Sequence, residues 1–99
     1  MELKQLQILV AVAEEGTLQK AAASLHRAIP AVRGAISKLE KEAGTPLFER
    51  SKNHEWYLTG AGESLVDYAK RMLSLQDEAV VAVQQIAKAC RPRSFGQAK

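Results

Sequence analysis

Apolar residues recur at three- and four-residue spacing from the start of the chain. Leu3, Leu6, Leu9, Val10 and Ala13 form one stripe and predict a helix over about residues 3–14. Gly16 ends it as a left-handed cap, and Thr17 caps the next helix with its hydroxyl. That second helix runs to Leu25 and turns Ala21, Ala22 and Leu25 toward the first. A short turn, His26-Arg27-Ala28, leads to a third helix that begins near Pro30 and buries Val32, Ala35, Ile36 and Leu39. Gly44 ends it and Pro46 prevents a restart. Helices joined by so tight a turn cross steeply and need small residues where they touch, and Ala21, Ala22 and Ala23 supply them. This is the sequence form of a helix-turn-helix over about residues 17–43, whose second helix is shaped to enter a DNA major groove.

The third helix starts weakly. Pro30 suits a first turn, but Ala28 and Ile29 offer no side-chain oxygen as a cap, at a cost of about 1 kcal/mol relative to Ser. Gly34 in the interior costs roughly another 1 kcal/mol relative to Ala. After it, Leu47 and Phe48 anchor the loop, 49–55 is polar, and Trp56, Tyr57 and Leu58 are strand-like. A hairpin over 47–58 follows, with its tip near Lys52, Asn53 and His54 and with Trp56 and Tyr57 in strand packing; in this position it is a wing.

Thr59 caps a long last helix over about residues 60–89. Leu65, Met72, Ala79 and Ile86 lie seven apart, with Tyr68 or Ala69, then Leu75, then Val83 between them, which is a heptad pattern. These eight residues are the expected dimer interface, the partner being the same helix of a second chain; a helix folded back on its own domain is the alternative. Pro92 and Gly96 break the remainder, 91–99, into a flexible tail or linker. The expected fold is mainly α. A winged helix-turn-helix of three helices and a short β-hairpin occupies 1–59, and a long dimerisation helix occupies 60–90.

Composition narrows the function. A chain of 99 residues, 46% apolar, supports one small core and leaves little room for a substrate pocket beside it. No glycine-rich phosphate loop, nucleophile signature or metal-ligand spacing is present, so an enzyme is not expected and no cofactor is implied. Gly60-Ala61-Gly62 reads as a helix start. His26, a turn residue, His54 and Cys90 are too scattered for a zinc site, and no metal is expected. Cys90 is the single cysteine and reads as a small apolar residue near a helix end, which suits a reducing compartment. No signal peptide or membrane span is visible, and a cytoplasmic location is expected. The formal charge is +3, and it is unevenly placed. Six cations (Arg27, Arg33, Lys38, Lys41, Arg50, Lys52) face three anions (Glu40, Glu42, Glu49) between residues 27 and 52.

Several short motifs hold their spacing without gaps to about Gly62. They are Leu3-x-x-Leu6-x-x-Leu9-Val10-Ala11-Val12-Ala13-Glu14-Glu15-Gly16-Thr17, Ala21-Ala22-x-x-Leu25-His26, Pro30-Ala31-Val32 and Ile36-x-x-Leu39-Glu40. Gly44-x-Pro46-Leu47-Phe48-Glu49-Arg50 and Leu58-Thr59-x-Ala61-Gly62 complete the set. Together they resemble the start of LysR-type transcriptional regulators. The resemblance implies a winged helix-turn-helix that dimerises through linker helices and binds double-stranded promoter DNA at a partly palindromic site. It also implies a C-terminal effector-binding domain of about two hundred residues, at least one further domain in size. That domain is absent from the sequence, so a small-molecule effector would act only through it; a fragment or a natural truncation accounts for the difference, and the break after Pro92 favours a fragment. The departures lie at the start of the third helix. The family commonly has Ser and Gln before the Pro, where this chain has Ala28 and Ile29, and a small polar residue then Arg or another polar one, where it has Arg33 and Gly34.

The DNA-contacting candidates follow. Arg33 is the base-edge reader, because Arg bidentate to guanine is the commonest specific contact. Ile29 offers contact with a thymine methyl, and Pro30, Ala31 and Gly34 complete that surface without a hydrogen-bonding side chain. Arg27 and Lys38 are phosphate contacts or solvated charges. Arg50 matches the family's Leu-Phe-x-Arg pattern at the wing base and is a phosphate contact by that resemblance. Lys52, Asn53 and His54 at the wing tip reach the minor groove or backbone, and Gln19 and Lys20 hold a phosphate beside the N–H groups of the second helix. A second reading stays open: a degenerate helix-turn-helix serving as a protein-interaction module, supported by the lost polar residues at Ala28, Ile29 and Gly34.

Overall fold

The computed structural model describes residues 1–89; Cys90 and the expected tail at 91–99 lie outside the described residues. The elements run α1 (Leu3–Glu15), α2 (Leu18–Leu25), α3 (Ile29–Ala43), β1 (Phe48–Arg50), β2 (Trp56–Leu58) and α4 (Gly60–Ala89). Local chemistry sets their ends. Gly16 takes φ 86° and donates its N–H to the Val12 carbonyl, so α1 closes in the left-handed region that glycine tolerates. Thr17 Oγ1 accepts from the Lys20 N–H at 3.1 Å and opens α2. His26 then turns the chain with φ 56°. Its N–H reaches the Ala23 carbonyl at 3.2 Å while the Arg27 N–H reaches that of Ala22 at 3.0 Å, a Schellman closure built on a non-glycine residue. Ala28 caps α3 without any side-chain hydrogen bond, and Pro30 sits in its first turn.

α1 is the centre of the molecule. It packs against α2, α3 and α4 and touches β2. A helix enclosed from several directions buries more than one stripe, and here sequence periodicity misleads. Leu6 and Leu9 are buried as expected, but so are Ile8 and Val12, which the single stripe omits. Val10 and Ala13 are only partly buried, and Leu3 is exposed. α2 adds Leu18, Ala21 and Ala22 to this core, and α3 adds Val32, Ile36 and Leu39.

The hairpin and the start of α4 are joined by a dense set of bonds. β1 and β2 pair antiparallel with Phe48 opposite Leu58 and Arg50 opposite Trp56. Trp56 is buried, with the Phe48 ring edge-on at 5.4 Å, whereas Tyr57 points outward, as strand alternation requires. The Trp56 N–H donates to the Gly16 carbonyl at 2.8 Å, tying the wing to the α1–α2 turn. Thr59 Oγ1 accepts from the Gly62 N–H at 3.0 Å and donates to the Pro46 carbonyl at 2.8 Å. Gly62 is more than a helix start. A Cβ there would lie 2.0 Å from the Leu47 carbonyl oxygen, so only glycine lets α4 cross the loop this closely.

Burial along α4 departs from the expected interface. Gly62, Val66 and Ala69 are buried in the core of their own chain. Ala69, at 0% exposure, is therefore no part of a dimer surface, and Leu65 is half-buried against the same core. The reason is rotation: at 3.6 residues per turn, Ala69 falls with Gly62 and Val66 on the side facing α1, away from Met72 and Leu75. For the same reason the expected division at residue 59 is not a packing boundary. From Ser74 to Ala89 every residue is exposed. That half projects from the core and gives the molecule its extents of 61 × 25 × 20 Å.

Candidate nucleic-acid interface

α3 carries the centre of the candidate surface. Its buried side, Val32, Ile36 and Leu39, fixes which residues point away from the core. Three- and four-residue spacing puts Pro30, Gly34, Ser37 and Lys41 along the opposite ridge, all exposed. Arg33 and Lys38 flank this ridge on opposite sides and are also exposed. Ala31 is exposed beside Lys38, and Arg27 is exposed in the turn before the helix. Ile29 differs from the expectation. It is half-buried and packs against the core, so it does not stand free for a thymine methyl.

Local carboxylates do little to neutralise these cations. Glu40 Oε2 accepts from the Leu47 N–H at 2.8 Å and the Phe48 N–H at 3.3 Å, which clips the end of α3 to the start of the wing. Glu42 receives the N-terminal ammonium of Met1 at 2.8 Å. Two of the three anions between residues 27 and 52 are thus committed elsewhere. Among the described residues, the ion pairs join Met1 to Glu42, Lys70 to Glu14 and Arg71 to Asp67, and none engages Arg27, Arg33 or Lys38.

The wing supplies the second group. The Arg50 guanidinium lies 4.8 Å from the centre of the Trp56 ring and remains exposed. Such stacking holds a cation in place at about 0.5–1 kcal/mol without neutralising it. Ser51 organises the tip: its Oγ accepts from the N–H groups of Asn53 at 3.2 Å and Glu55 at 3.3 Å. Lys52, Asn53 and His54 are exposed above it, His54 in the left-handed region at φ 65°. The Tyr57 hydroxyl donates to Glu55 Oε1 at 2.5 Å. That hydrogen bond, followed by the carboxylate charge and desolvation, holds the phenol above its usual pKa.

The third group is the start of α2. Gln19 and Lys20 are exposed there, but Thr17 already accepts from the Lys20 N–H, so that backbone donor is committed. Gly16, Thr17 and Lys20 share a shallow cavity with Glu55, Trp56 and Tyr57, which brings this corner beside the wing. Sequence reasoning missed Glu40 and Gly62 as functional supports. The only signal for Glu40 was its place in the Leu39-Glu40 motif. Among the described residues, no three His, Cys, Asp or Glu residues form a group that could hold a metal ion, and no helix is long and apolar enough to cross a membrane.

Residues 3–63, from the first turn of α1 to the first turn of α4, match the family model described as "Bacterial regulatory helix-turn-helix protein, lysR family". The chain belongs to the LysR family. The fold is that of the family's DNA-binding domains. It superimposes on the DNA-binding domain of BenM in complex with a catB site 1 DNA at a TM-score of 0.83, with 38% identity over 88% of this chain and 96% of that one. A complex of the CbnR DNA-binding domain with DNA gives the same TM-score of 0.83, with 34% identity over 88% and 99% of the two chains. In sequence the chain is similar to a probable RuBisCO transcriptional regulator of Guillardia theta, 43% identical over 84 residues. That match covers 85% of this chain and 27% of the relative, so the chain spans about a quarter of the relative's length.

Proposed function

We propose that this chain is the DNA-reading and dimerisation part of a LysR-type transcriptional regulator, acting on partly palindromic promoter DNA in the cytoplasm and carrying no catalysis of its own. Two chains pair through the exposed face of α4, formed by Tyr68, Met72, Leu75, Ala79, Val83 and Ile86. Pairing fixes the distance between two α3 helices, so half-sites fall about an integral number of helical turns apart. Arg33 reads a base edge. Arg27, Lys38, Arg50, Lys52 and the Gln19–Lys20 corner bind phosphates, with Asn53 and His54 following the backbone beside them. A small-molecule effector belongs to a further domain of the regulator.

The observation that carries this reading is the outward face of α3, exposed and flanked by cations that form no ion pair among the described residues. The missing hydrogen-bonding side chains at Ala28, Ile29 and Gly34 favour the second reading, a protein-interaction module. Selection from a random duplex pool at about 0.15 M salt, where screening suppresses nonspecific capture, separates the two. A LysR reader enriches one site, and Arg33→Ala then binds it roughly tenfold or more weakly, the worth of a good base contact. Unchanged affinity and selectivity in Arg33→Ala sinks direct readout by Arg33, and an unenriched pool favours the interaction module.

A further inference from the structure

Among the described residues, no packing or backbone feature requires glycine at position 34. It lies within the helix Ile29–Ala43, where glycine lowers stability relative to alanine. Its φ is not positive, and a Cβ built on it meets nothing within 4 Å. Gly62 is the contrast: there the Leu47 carbonyl leaves no space for a side chain. At Gly34 the space stands open on the outside of the molecule.

That space lies on the ridge that points directly away from the core. Pro30 precedes Gly34 by one turn and Ser37 follows it by one, so the ridge carries nothing bulkier than a proline ring until Lys41. Arg33 and Lys38 stand to either side of it. A low ridge between two cations is shaped for a groove with anionic walls. Lys38 pairs with a wall and Arg33 reaches a base edge, while the helix backbone at Gly34 approaches the floor.

Resting on the DNA-binding reading above, we infer that Gly34 is a specificity-determining position: its missing side chain lets α3 seat against the base edges. The half-site is then read there by close contact, with thymine methyls as the apolar feature of the groove floor, in place of a hydrogen-bonding side chain. The position is an active choice of contact mode rather than a lost reader.

The test compares the unaltered chain, Gly34→Ala and Gly34→Gln on two duplexes: the one enriched from a random pool and a scrambled duplex of equal length and composition. Gly34→Ala is expected to raise the thermal midpoint by about 4–8 °C, as restored helix propensity predicts. It is expected to bind scrambled DNA within about twofold of the unaltered chain and the enriched duplex roughly tenfold more weakly, with Gly34→Gln weaker still. Equal or tighter binding of the enriched duplex by Gly34→Ala overturns the inference. So does a parallel loss on both duplexes, or a lowered midpoint, each of which would give Gly34 a role inside the chain. If the unaltered chain enriches no duplex, the DNA-binding reading fails and takes this inference with it, a result distinct from selective binding that ignores position 34.

Discussion

The two halves of α4 are one continuous helix with one apolar habit and opposite fates. In the first half, Gly62, Val66 and Ala69 complete the core around α1, and the Leu47 carbonyl approaches so closely that position 62 must be glycine. In the second half, Leu75, Val83 and Ile86 are each about two-thirds exposed, at 65%, 65% and 64%. Val80 and Val81 are half-exposed as well, at 50% each. A helical segment of about sixteen residues without tertiary support is marginal in water, so the outer half is the part that a partner would stabilise most. Burial, not periodicity, tells the two halves apart. The same three-four spacing meets an internal neighbour first and forms an exposed apolar face afterwards.

Breaking each half separately sharpens the contrast. The larger effect is expected in the outer half. Leu75→Glu removes the burial of two leucine side chains per dimer, at about 2 kcal/mol each, so self-association weakens roughly a thousandfold in sedimentation equilibrium. The core meanwhile keeps its near-ultraviolet Trp56 signal, and helical circular dichroism falls as residues 74–89 fray. A variant that stays dimeric would move the interface elsewhere. Gly62→Ala acts on the inner half and is expected to lower unfolding stability by about 3 kcal/mol, the upper end of overpacking, because the obstructing atom is backbone. A urea titration reads this as an earlier midpoint with an unchanged slope. A midpoint that does not move would mean the loop at Leu47 yields without cost.

Much of this architecture was legible because it is local. Gly16, Thr17, Gly44 and Thr59 announce helix ends through their own backbone and hydroxyl chemistry, and each acts where it stands. The hairpin follows from a polar stretch between two apolar ones. What the sequence hid are contacts between distant segments. Ile8 and Val12 are buried because α1 is surrounded, which no single-stripe count anticipates. Glu40 resembles any surface carboxylate until the N–H groups of Leu47 and Phe48 are seen to converge on it. Ile29 sits where a base reader is expected, yet the core claims part of its side chain. The candidate site was legible as a cluster of cations on α3 and the wing. Its emptiest position, Gly34, gained meaning only once the space around it was visible.

In the proposed complex, two copies of this chain, held by the outer half of α4, read two half-sites at once. Titrating the chain against its enriched duplex, and against the same duplex with one half scrambled, tests that claim directly. Two chains on the intact duplex are expected, with at least roughly a hundredfold weaker binding when one half is scrambled, since the base contacts of that half-site lose their partners while the phosphate contacts remain. One chain per duplex, with indifference to the scrambled half, would contradict it.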